Sequence, residues 1–273
     1  NGLPAGTPLS GAIFAVYDKQ NNVVDKFQTN ENGIGSSKKL PLGIYTVKEV
    51  QAPANYGLNP TVFTADIEFA GQVVKLNVTD PVITAGVSIK KTGYAQTMNN
   101  NVMRWTVSGV RNDSTTSLQR FYWRDTLPTD AVRLTRLVTG TYSTTQTYKV
   151  TFTTNLNSQW RTAYDNLSTA KNYTLDMSSA ALGLASNEYV TQFMLSFGIV
   201  PAGFHQLTNA TVDAQTLYAL TNGYKFTNKA DVGGLLGGNW VQSIARWTTS
   251  VYSHYVPAKP AAPKSPKLPR TGY

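Results

Sequence analysis

The chain has 273 residues, of which 41% are apolar, and its formal net charge is +9. This length allows two domains of ordinary size, and no apolar run approaches the ~20 residues that span a membrane. Disulfides are excluded because cysteine is absent, and two histidines without cysteine argue against a zinc site. We therefore expect no metal, no cofactor and no membrane span.

The positive charge is concentrated at one end of the chain. A short tail carries Lys259, Lys264, Lys267 and Arg270, while the other basic residues are scattered and do not alternate with aromatic residues. Because nucleic-acid-binding proteins carry a continuous basic surface, we predict no nucleic-acid partner. The tail charge is interpreted as attraction to an anionic cell envelope, with a solvated linker as the alternative. Since the chain starts at Asn1 without a leader, we expect a removed signal peptide and a longer parent protein.

Residues 1–82 predict short strands separated by polar turns. The segment 7–18 starts with a turn and continues into a strand that contains Ile13, Val16 and Tyr17. Because side chains alternate, Tyr45, Val47 and Glu49 share one face of a later strand. A last strand from Val73 to Val78 is predicted to close this unit.

The motifs TPLSGAIFAVYD, LPLGIYTVKEVQAPANYG and VVKLNVTDP resemble, in this order, the Cna-B-type (SpaA-like) pilin domains of Gram-positive bacteria. The resemblance covers nearly all of residues 7–82 and implies a seven-stranded immunoglobulin-like sandwich of inverse type. In that family a lysine on the first strand condenses with an asparagine or aspartate on the last, and a buried glutamate catalyses the step.

The resemblance puts Glu49 in the catalytic position and Asp80 in the acceptor position. No lysine precedes Gly6. We therefore expect an incomplete first strand, or a copy that has lost the bond, and no cross-link within residues 1–82. The alternative is that Glu49 is an edge carboxylate that is hydrogen-bonded to the backbone.

Residues 85–255 predict a second, larger β sandwich, so the fold class is all-β with two immunoglobulin-like domains in tandem. The region 156–186 is interpreted as an insertion with a weakly helical piece from Gln159 to Leu167. After an opening strand at residues 86–93, runs rich in β-branched and aromatic residues predict strands at 102–110, 119–125, 133–139, 147–153, 189–197, 223–228 and 243–252.

Three polar residues in this region end inward-facing apolar alternations. Lys91 follows Val87 and Ile89, Asp125 follows Phe121 and Trp123, and Asn228 follows Tyr224 and Phe226. Such residues are costly to bury unless they meet.

The motifs VSIKKTG, FYWRDTLP and YKFTNKADVGG resemble the Cna-A-like domains of Gram-positive surface proteins. We therefore predict a Lys91–Asn228 amide promoted by Asp125, with Lys90 or Glu188 as substitutes if a strand register is shifted. The alternatives are a hydrogen-bonded polar cluster or residues that face water.

The tail, residues 256–273, contains five prolines, which favour an extended spacer. Within it Leu268, Pro269, Arg270, Thr271 and Gly272 match the LPXTG signal that sortases read. The resemblance implies that a sortase cysteine attacks the Thr271–Gly272 bond and forms an acyl-enzyme at Thr271. We expect that the apolar span and basic tail of the full signal have been removed.

These features predict an extracellular protein anchored to the Gram-positive cell wall: a minor or basal pilin, or an adhesin stalk. Its partners would be sortase and either peptidoglycan or another pilin subunit. The alternative is an adhesin that binds a host matrix protein or glycan. No catalytic motif suggests an enzyme. The five tryptophans are predicted to lie in the sandwich cores, and the alternative is an exposed aromatic platform for glycans. They are Trp105, Trp123, Trp160, Trp240 and Trp247.

Overall fold

A computed structural model describes residues 3–4, 6–94, 96–97 and 101–252. The regular elements in these ranges are all β-strands, so the all-β prediction is confirmed. No helix within these ranges is long and apolar enough to cross a membrane. The tail at 256–273, with its predicted sorting signal, lies outside the described residues.

The described ranges form eighteen strands. In chain order they are β1 (Ile13–Tyr17), β2 (Val23–Gln28), β3 (Gly43–Gln51), β4 (Val62–Ile67), β5 (Val87–Gly93), β6 (Gln96–Thr97), β7 (Val102–Asn112), β8 (Leu118–Thr126), β9 (Val132–Val138), β10 (Thr141–Tyr142), β11 (Thr147–Thr154), β12 (Arg161–Ser168), β13 (Thr174–Asp176), β14 (Val190–Val200), β15 (Gln206–Thr208), β16 (Ala210–Thr216), β17 (Lys225–Leu236) and β18 (Asn239–Tyr252).

The first four strands form one antiparallel sheet in the order β2-β1-β3-β4. Alternating residues of β1 and β3, including Phe14, Val16 and Val47, point to one buried face and form a small apolar core. Leu76 and Val78 pack on this core.

The prediction of a strand at 73–78 is wrong. That segment covers the open face of the sheet with side chains, but it pairs with no other strand in the described residues.

The larger core lies between a seven-stranded sheet, β12-β11-β14-β8-β17-β18-β6, and a five-stranded sheet, β13-β9-β16-β7-β5. Strands β10 and β15 form a separate pair. The inner faces of the two large sheets meet through fully buried aromatic residues such as Trp105, Trp123 and Phe193. Trp247 packs at the margin of this core. The prediction that all five tryptophans fill cores is wrong for Trp160 and Trp240, which are 40% and 51% exposed.

The prediction of a helical piece from Gln159 to Leu167 is also wrong, because β12 pairs antiparallel with β11 there. Its apolar residues Tyr164 and Leu167 are three apart, which imitates helical spacing. The strand keeps both on the inner side by a register shift, and Asn166 between them adopts φ 54°. An irregular edge strand thus produces the pattern that favours a helix.

The two cores are joined by a hydrogen-bonded segment. Its Pro81 carbonyl accepts from the Gly57 amide at 2.7 Å, and its Thr84 carbonyl accepts from the Thr115 amide at 3.0 Å. The segment is therefore tied to structure on both sides, and β5 follows it directly.

On the outer face of the five-stranded sheet, Asp213 bridges two arginines. It is 4% exposed and accepts hydrogen bonds from Arg104 Nε at 2.6 Å and Arg136 Nε at 2.7 Å. Burial raises the pKa of Asp213, but the two guanidinium groups outweigh it and hold the pKa below its ordinary value. The charged carboxylate therefore stabilises the folded state.

We expect Asp213→Asn to lower the free energy of unfolding by ~2 kcal/mol at pH 7, because bonds to a charged acceptor are lost. Since the folded pKa is depressed, this contribution is present above the unfolded pKa and disappears as the pH falls through the folded value. Urea unfolding at pH 7 and in acid measures the difference. Asp113→Asn, at the exposed pair with Arg111, is the control and should change stability by under about 0.5 kcal/mol. Equal losses from both variants would contradict this account.

Candidate cross-link site

Three polar side chains meet between the two large sheets. Lys91 lies on β5 of the five-stranded sheet, and Asp125 and Asn228 lie on the adjacent strands β8 and β17 of the seven-stranded sheet. Lys91 is 6% exposed, and the other two are fully buried. The alternation of each strand turns the three inward, because each shares its face with core residues. The structure thus brings together the residues that the sequence analysis grouped.

Lys91 Nζ forms a buried ion pair with Asp125 Oδ2. The ammonium also lies 5.8 Å from the ring centroid of Trp105, which covers it from the five-stranded sheet. In the ladder Asp125 is opposite Ala230, and Asn228 lies two residues along the same face of β17. Asp125 and Asn228 therefore lie near each other on the inner face of the seven-stranded sheet.

The Asn228 amide is buried without a hydrogen bond. Its Oδ1 and Nδ2 atoms and Asp125 Oδ1 have no partner of good geometry among the described residues. The amide is nevertheless near enough to Asp125 to lower the pKa of that carboxyl slightly. A buried unsatisfied polar group costs about 1–3 kcal/mol, so this cluster is expensive as a set of separate side chains.

Burial shifts both members of the ion pair toward their neutral forms. Desolvation lowers the pKa of Lys91, although the Asp125 charge opposes this. Desolvation likewise raises the pKa of Asp125, against the opposing effect of Lys91. The site therefore favours transfer of a proton from the ammonium to the carboxylate, which yields a neutral amine beside an acid.

The two substitutes considered in the sequence analysis lie elsewhere. Lys90 points outward and is exposed. Glu188 forms an ion pair with Arg161 and accepts a hydrogen bond from Thr154 at 2.7 Å. Neither contacts the Lys91 cluster in the described residues.

One feature beside Lys91 was not predicted, namely the packing of two tryptophan rings against Gly93 of β5. A Cβ atom on Gly93 would lie 2.7 Å from both Trp105 and Trp247, so only glycine lets these rings close over β5. Gly93, two residues after Lys91, was the feature of the sequence that could have predicted this packing, because a glycine within a strand allows close approach.

In the first sheet, Glu49 is 4% exposed and Asp80 is half-buried. Glu49 Oε2 accepts from the Asn59 amide at 2.6 Å, so the backbone bond of the alternative interpretation exists, but on a buried carboxyl. Glu49 Oε1 and Asp80 Oδ1 are buried without a partner. No lysine among the described residues forms an ion pair with either carboxyl.

These two carboxyls act on each other. Burial raises the pKa of Glu49, and the neighbouring Asp80 raises it further. Burial also raises the pKa of Asp80, although a hydrogen bond from Glu49 opposes this. Glu49 therefore holds a proton more readily than Asp80. Elsewhere, the part of the chain that the structure describes contains no cluster of acidic or histidine side chains suited to a metal ion.

Comparison with known proteins identifies the first part of the chain. Residues 4–82 match the family model described as SpaA, a prealbumin-like fold domain. The predicted resemblance of this region to SpaA-like pilin domains is confirmed.

The proteins that resemble this chain include a surface protein and several pilins. Over 123 residues the chain is 32% identical to the trypsin-resistant surface T6 protein of Streptococcus pyogenes serotype M6, a match covering 45% of this chain and 20% of that protein. The match therefore spans about a fifth of the length of that relative.

Among solved structures, the major pilin SpaD of Corynebacterium diphtheriae matches at 16% identity over 90% of this chain and 62% of its own, with a TM-score of 0.33. The major pilin BcpA of Bacillus cereus matches at 15% identity over 91% and 66%, with a TM-score of 0.31.

The paired carboxyls predict a pH-dependent stability for the first sheet. Because both folded pKa values are raised, stability is full below the unfolded pKa values and is lost as the pH rises through the folded ones. We expect the first sheet to melt at a higher temperature at pH 4 than at pH 8, and Glu49→Gln to flatten this dependence. Amide signals of β1 and β3 in NMR spectra, followed with temperature, measure it. The exposed Glu31→Gln is the control, and an unchanged pH dependence in Glu49→Gln would refute the coupling.

Proposed function

We propose that the chain is part of a structural cell-surface protein, a minor or basal pilin or an adhesin stalk. Sortase anchors it covalently to the cell wall, and an intramolecular Lys91–Asn228 amide stabilises it. The observation that carries this proposal is the buried amide of Asn228, which lacks partners beside a lysine–aspartate pair. We further propose three parts: a Cna-B/SpaA-like domain at 1–82, a Cna-A-like domain at 85–255 and a wall-spanning tail at 256–273. The protein is not an enzyme in this proposal.

The cross-link needs no cofactor. Asp125 takes a proton from the Lys91 ammonium, and the neutral Nζ attacks the Asn228 side-chain carbonyl carbon to form a C–N bond. The protonated Asp125 stabilises the carbonyl oxygen and then delivers its proton to Nδ2. The bond from this nitrogen to carbon breaks, ammonia leaves, and Nζ gives its second proton back to Asp125, so that a neutral secondary amide and a protonated carboxyl remain. The product amide uses groups that otherwise remain buried and unsatisfied.

The location of the bond supports a mechanical role. It would join the first strand of the larger sandwich to β17, which pairs along its whole length with β18, the last described strand. Tension that enters at β5 would pass through the covalent bond to the β17–β18 hairpin. The strands between them would carry little load.

In the first domain, we propose that Glu49 and Asp80 occupy the catalyst and acceptor positions of a second amide, although no described lysine pairs with either carboxyl. The raised pKa of Glu49 supports this, because a protonated carboxyl can donate to the acceptor carbonyl. Within residues 1–82 alone no such bond forms.

The proposed anchoring acts at the tail. Sortase would cleave between Thr271 and Gly272 and transfer the Thr271 carboxyl to an amine of peptidoglycan or of another pilin subunit. The match of residues 4–82 to the SpaA family model and the similarity to the T6 surface protein support this extracellular, wall-anchored location. The alternative, an adhesin for a host matrix protein or glycan, is favoured by one separate surface of the larger sandwich.

We expect the intact mass of the protein to be one ammonia below the mass calculated from its sequence. Asp125→Asn, which cannot take up the proton, and Asp125→Ala should restore the calculated mass. They should also remove about 4 kcal/mol of stability, by analogy with other cross-links that close long loops. Intact-protein mass spectrometry and urea unfolding measure the two effects.

Lys90→Ala is the matched control, because Lys90 is exposed and adjacent to Lys91 in the chain. It should keep the reduced mass and the stability. A wild-type protein with its full calculated mass would eliminate the cross-link and leave the anchoring proposal untouched.

The anchoring proposal predicts that a class A sortase with a labelled amine releases Gly272-Tyr273 and joins the label to Thr271. The reason is that the enzyme reads the five-residue signal and attacks at its threonine. Gel fluorescence and peptide mass spectrometry detect the product. Thr271→Ala is the control and should remain unlabelled. If the wild-type chain is unlabelled while an LPXTG peptide reacts, the tail is not a sortase substrate.

A further inference from the structure

The outer face of the seven-stranded sheet carries an open cleft that the cross-link does not use. The cleft has a volume of about 750 Å³, within the roughly 300–1,000 Å³ typical of ligand sites. Residues from β8, β11, β12, β14 and β18 line it, together with Trp160, which precedes β12. It lies on the opposite side of the sheet from Lys91.

Two exposed tryptophans flank this cleft. Trp160 is 40% exposed and Trp240 is 51% exposed, whereas Trp105 and Trp123 are buried. An exposed tryptophan is informative, because its large apolar face is normally removed from water. Two exposed tryptophans beside one cleft offer flat aromatic faces. A ring-shaped ligand could stack on these faces through its C–H groups.

The floor of the cleft is rigid. Lys149, Ser196, Tyr122, Gly233 and Gln242 follow one another across five hydrogen-bonded strands. A Cβ on Gly233 would lie 2.9 Å from the Tyr122 ring, so this glycine lets the tyrosine lie across β17.

Tyr122 is also locked by its partners. Its hydroxyl donates to Asp231 at 3.1 Å and accepts from Gln242 at 2.9 Å. Its ring packs edge-to-face on Trp240 at 6.0 Å. The side chains that a ligand would meet are thus held in place before it binds.

The backbone of β8 is strained where it borders this cleft. Arg120 adopts φ 52°, a left-handed conformation that is rare for a non-glycine residue. Register shifts occur beside it in both neighbouring ladders, at Gly198 of β14 and between Gly233 and Leu235 of β17. Such bulges redirect side chains, and strain of this kind is concentrated at functional sites.

The charges of the cleft favour an anion. Arg124 is paired with Asp231 through two hydrogen bonds of 3.1 and 3.0 Å. Arg120 and Lys149 form no ion pair among the described residues, and they face one carboxylate on the cleft wall, Asp165. An excess of positive charge therefore remains on the lining.

The neighbouring strands restrict the kind of partner. Strands β14, β8 and β17 are each paired on both sides, so the floor has no free edge to which a peptide strand could add. Recognition must use side chains alone: aromatic faces, hydrogen-bonding groups and two unpaired cations.

We propose that this cleft binds an acidic saccharide. A pyranose ring would lie against Trp240 or Trp160, its hydroxyls would bond to Gln242 and Ser196, and its carboxylate would be held by Arg120 and Lys149. This binding activity is separate from the structural role and does not depend on the cross-link or on sortase.

The test is an NMR titration of the full chain with glucuronate, N-acetylneuraminate and neutral glucose. We expect a saturable shift of the Trp160 and Trp240 indole signals with at least one acid. Binding of glucose should be at least about tenfold weaker, a difference of about 1.4 kcal/mol. Arg120→Gln should remove the preference for the acid. Trp240→Ala should weaken binding by about tenfold or more, and Trp240→Tyr should retain most of it.

Two exposed residues outside the cleft serve as controls. Phe69→Ala and Lys171→Gln remove an aromatic and a charge, respectively, and should leave binding unchanged. Thermal melts of every variant show whether it is folded. Indole signals that do not shift with either acid in the folded wild-type protein would overturn the proposal, as would equal binding of glucose and the acids. Shifts confined to residues outside the cleft would overturn it as well.

Discussion

The larger sandwich depends on one buried ion pair, between Lys91 of one sheet and Asp125 of the other. Two charges in an apolar core are costly, and the Asn228 amide beside them has no hydrogen-bond partner among the described residues. A core that is otherwise filled by aromatic and aliphatic side chains would be more stable without these groups if they stayed separate. Their joint presence is explained if they react, because one amide replaces an ammonium, a primary amide and a buried salt bridge.

The strand topology determines which parts of the chain the proposed amide would connect. β5 follows the hydrogen-bonded joint with the first sheet, and β18 leads toward the tail. Since β17 and β18 pair along their full length, a bond from β5 to β17 would connect the two ends of the sandwich by a short path. The cleft between Trp160 and Trp240 lies on the far side of the same sheet, so a load-bearing core and a binding surface can coexist.

The sequence predicts the interior of this protein better than its margins. The alternation before Lys91 and Asp125 was sufficient to turn both inward, since a strand has a period of two. The same rule failed at β12, where a shifted register brings Tyr164 and Leu167 to one side. It also failed at 73–78, where apolar side chains cover a sheet without joining it. The exposure of Trp160 and Trp240 could not be predicted, because it depends on which face of a seven-stranded sheet stays uncovered.

Single-molecule pulling on the chain, held near residues 85 and 252, tests the load path most directly. A Lys91–Asn228 amide excludes the residues between Lys91 and Asn228 from extension. The account therefore predicts that unfolding the sandwich releases none of the roughly 45 nm that this segment would span if extended. Asp125→Asn, tested in the same way, should release it. An unfolding step of that full length in the wild-type protein would contradict the cross-link and the mechanical role that is built on it.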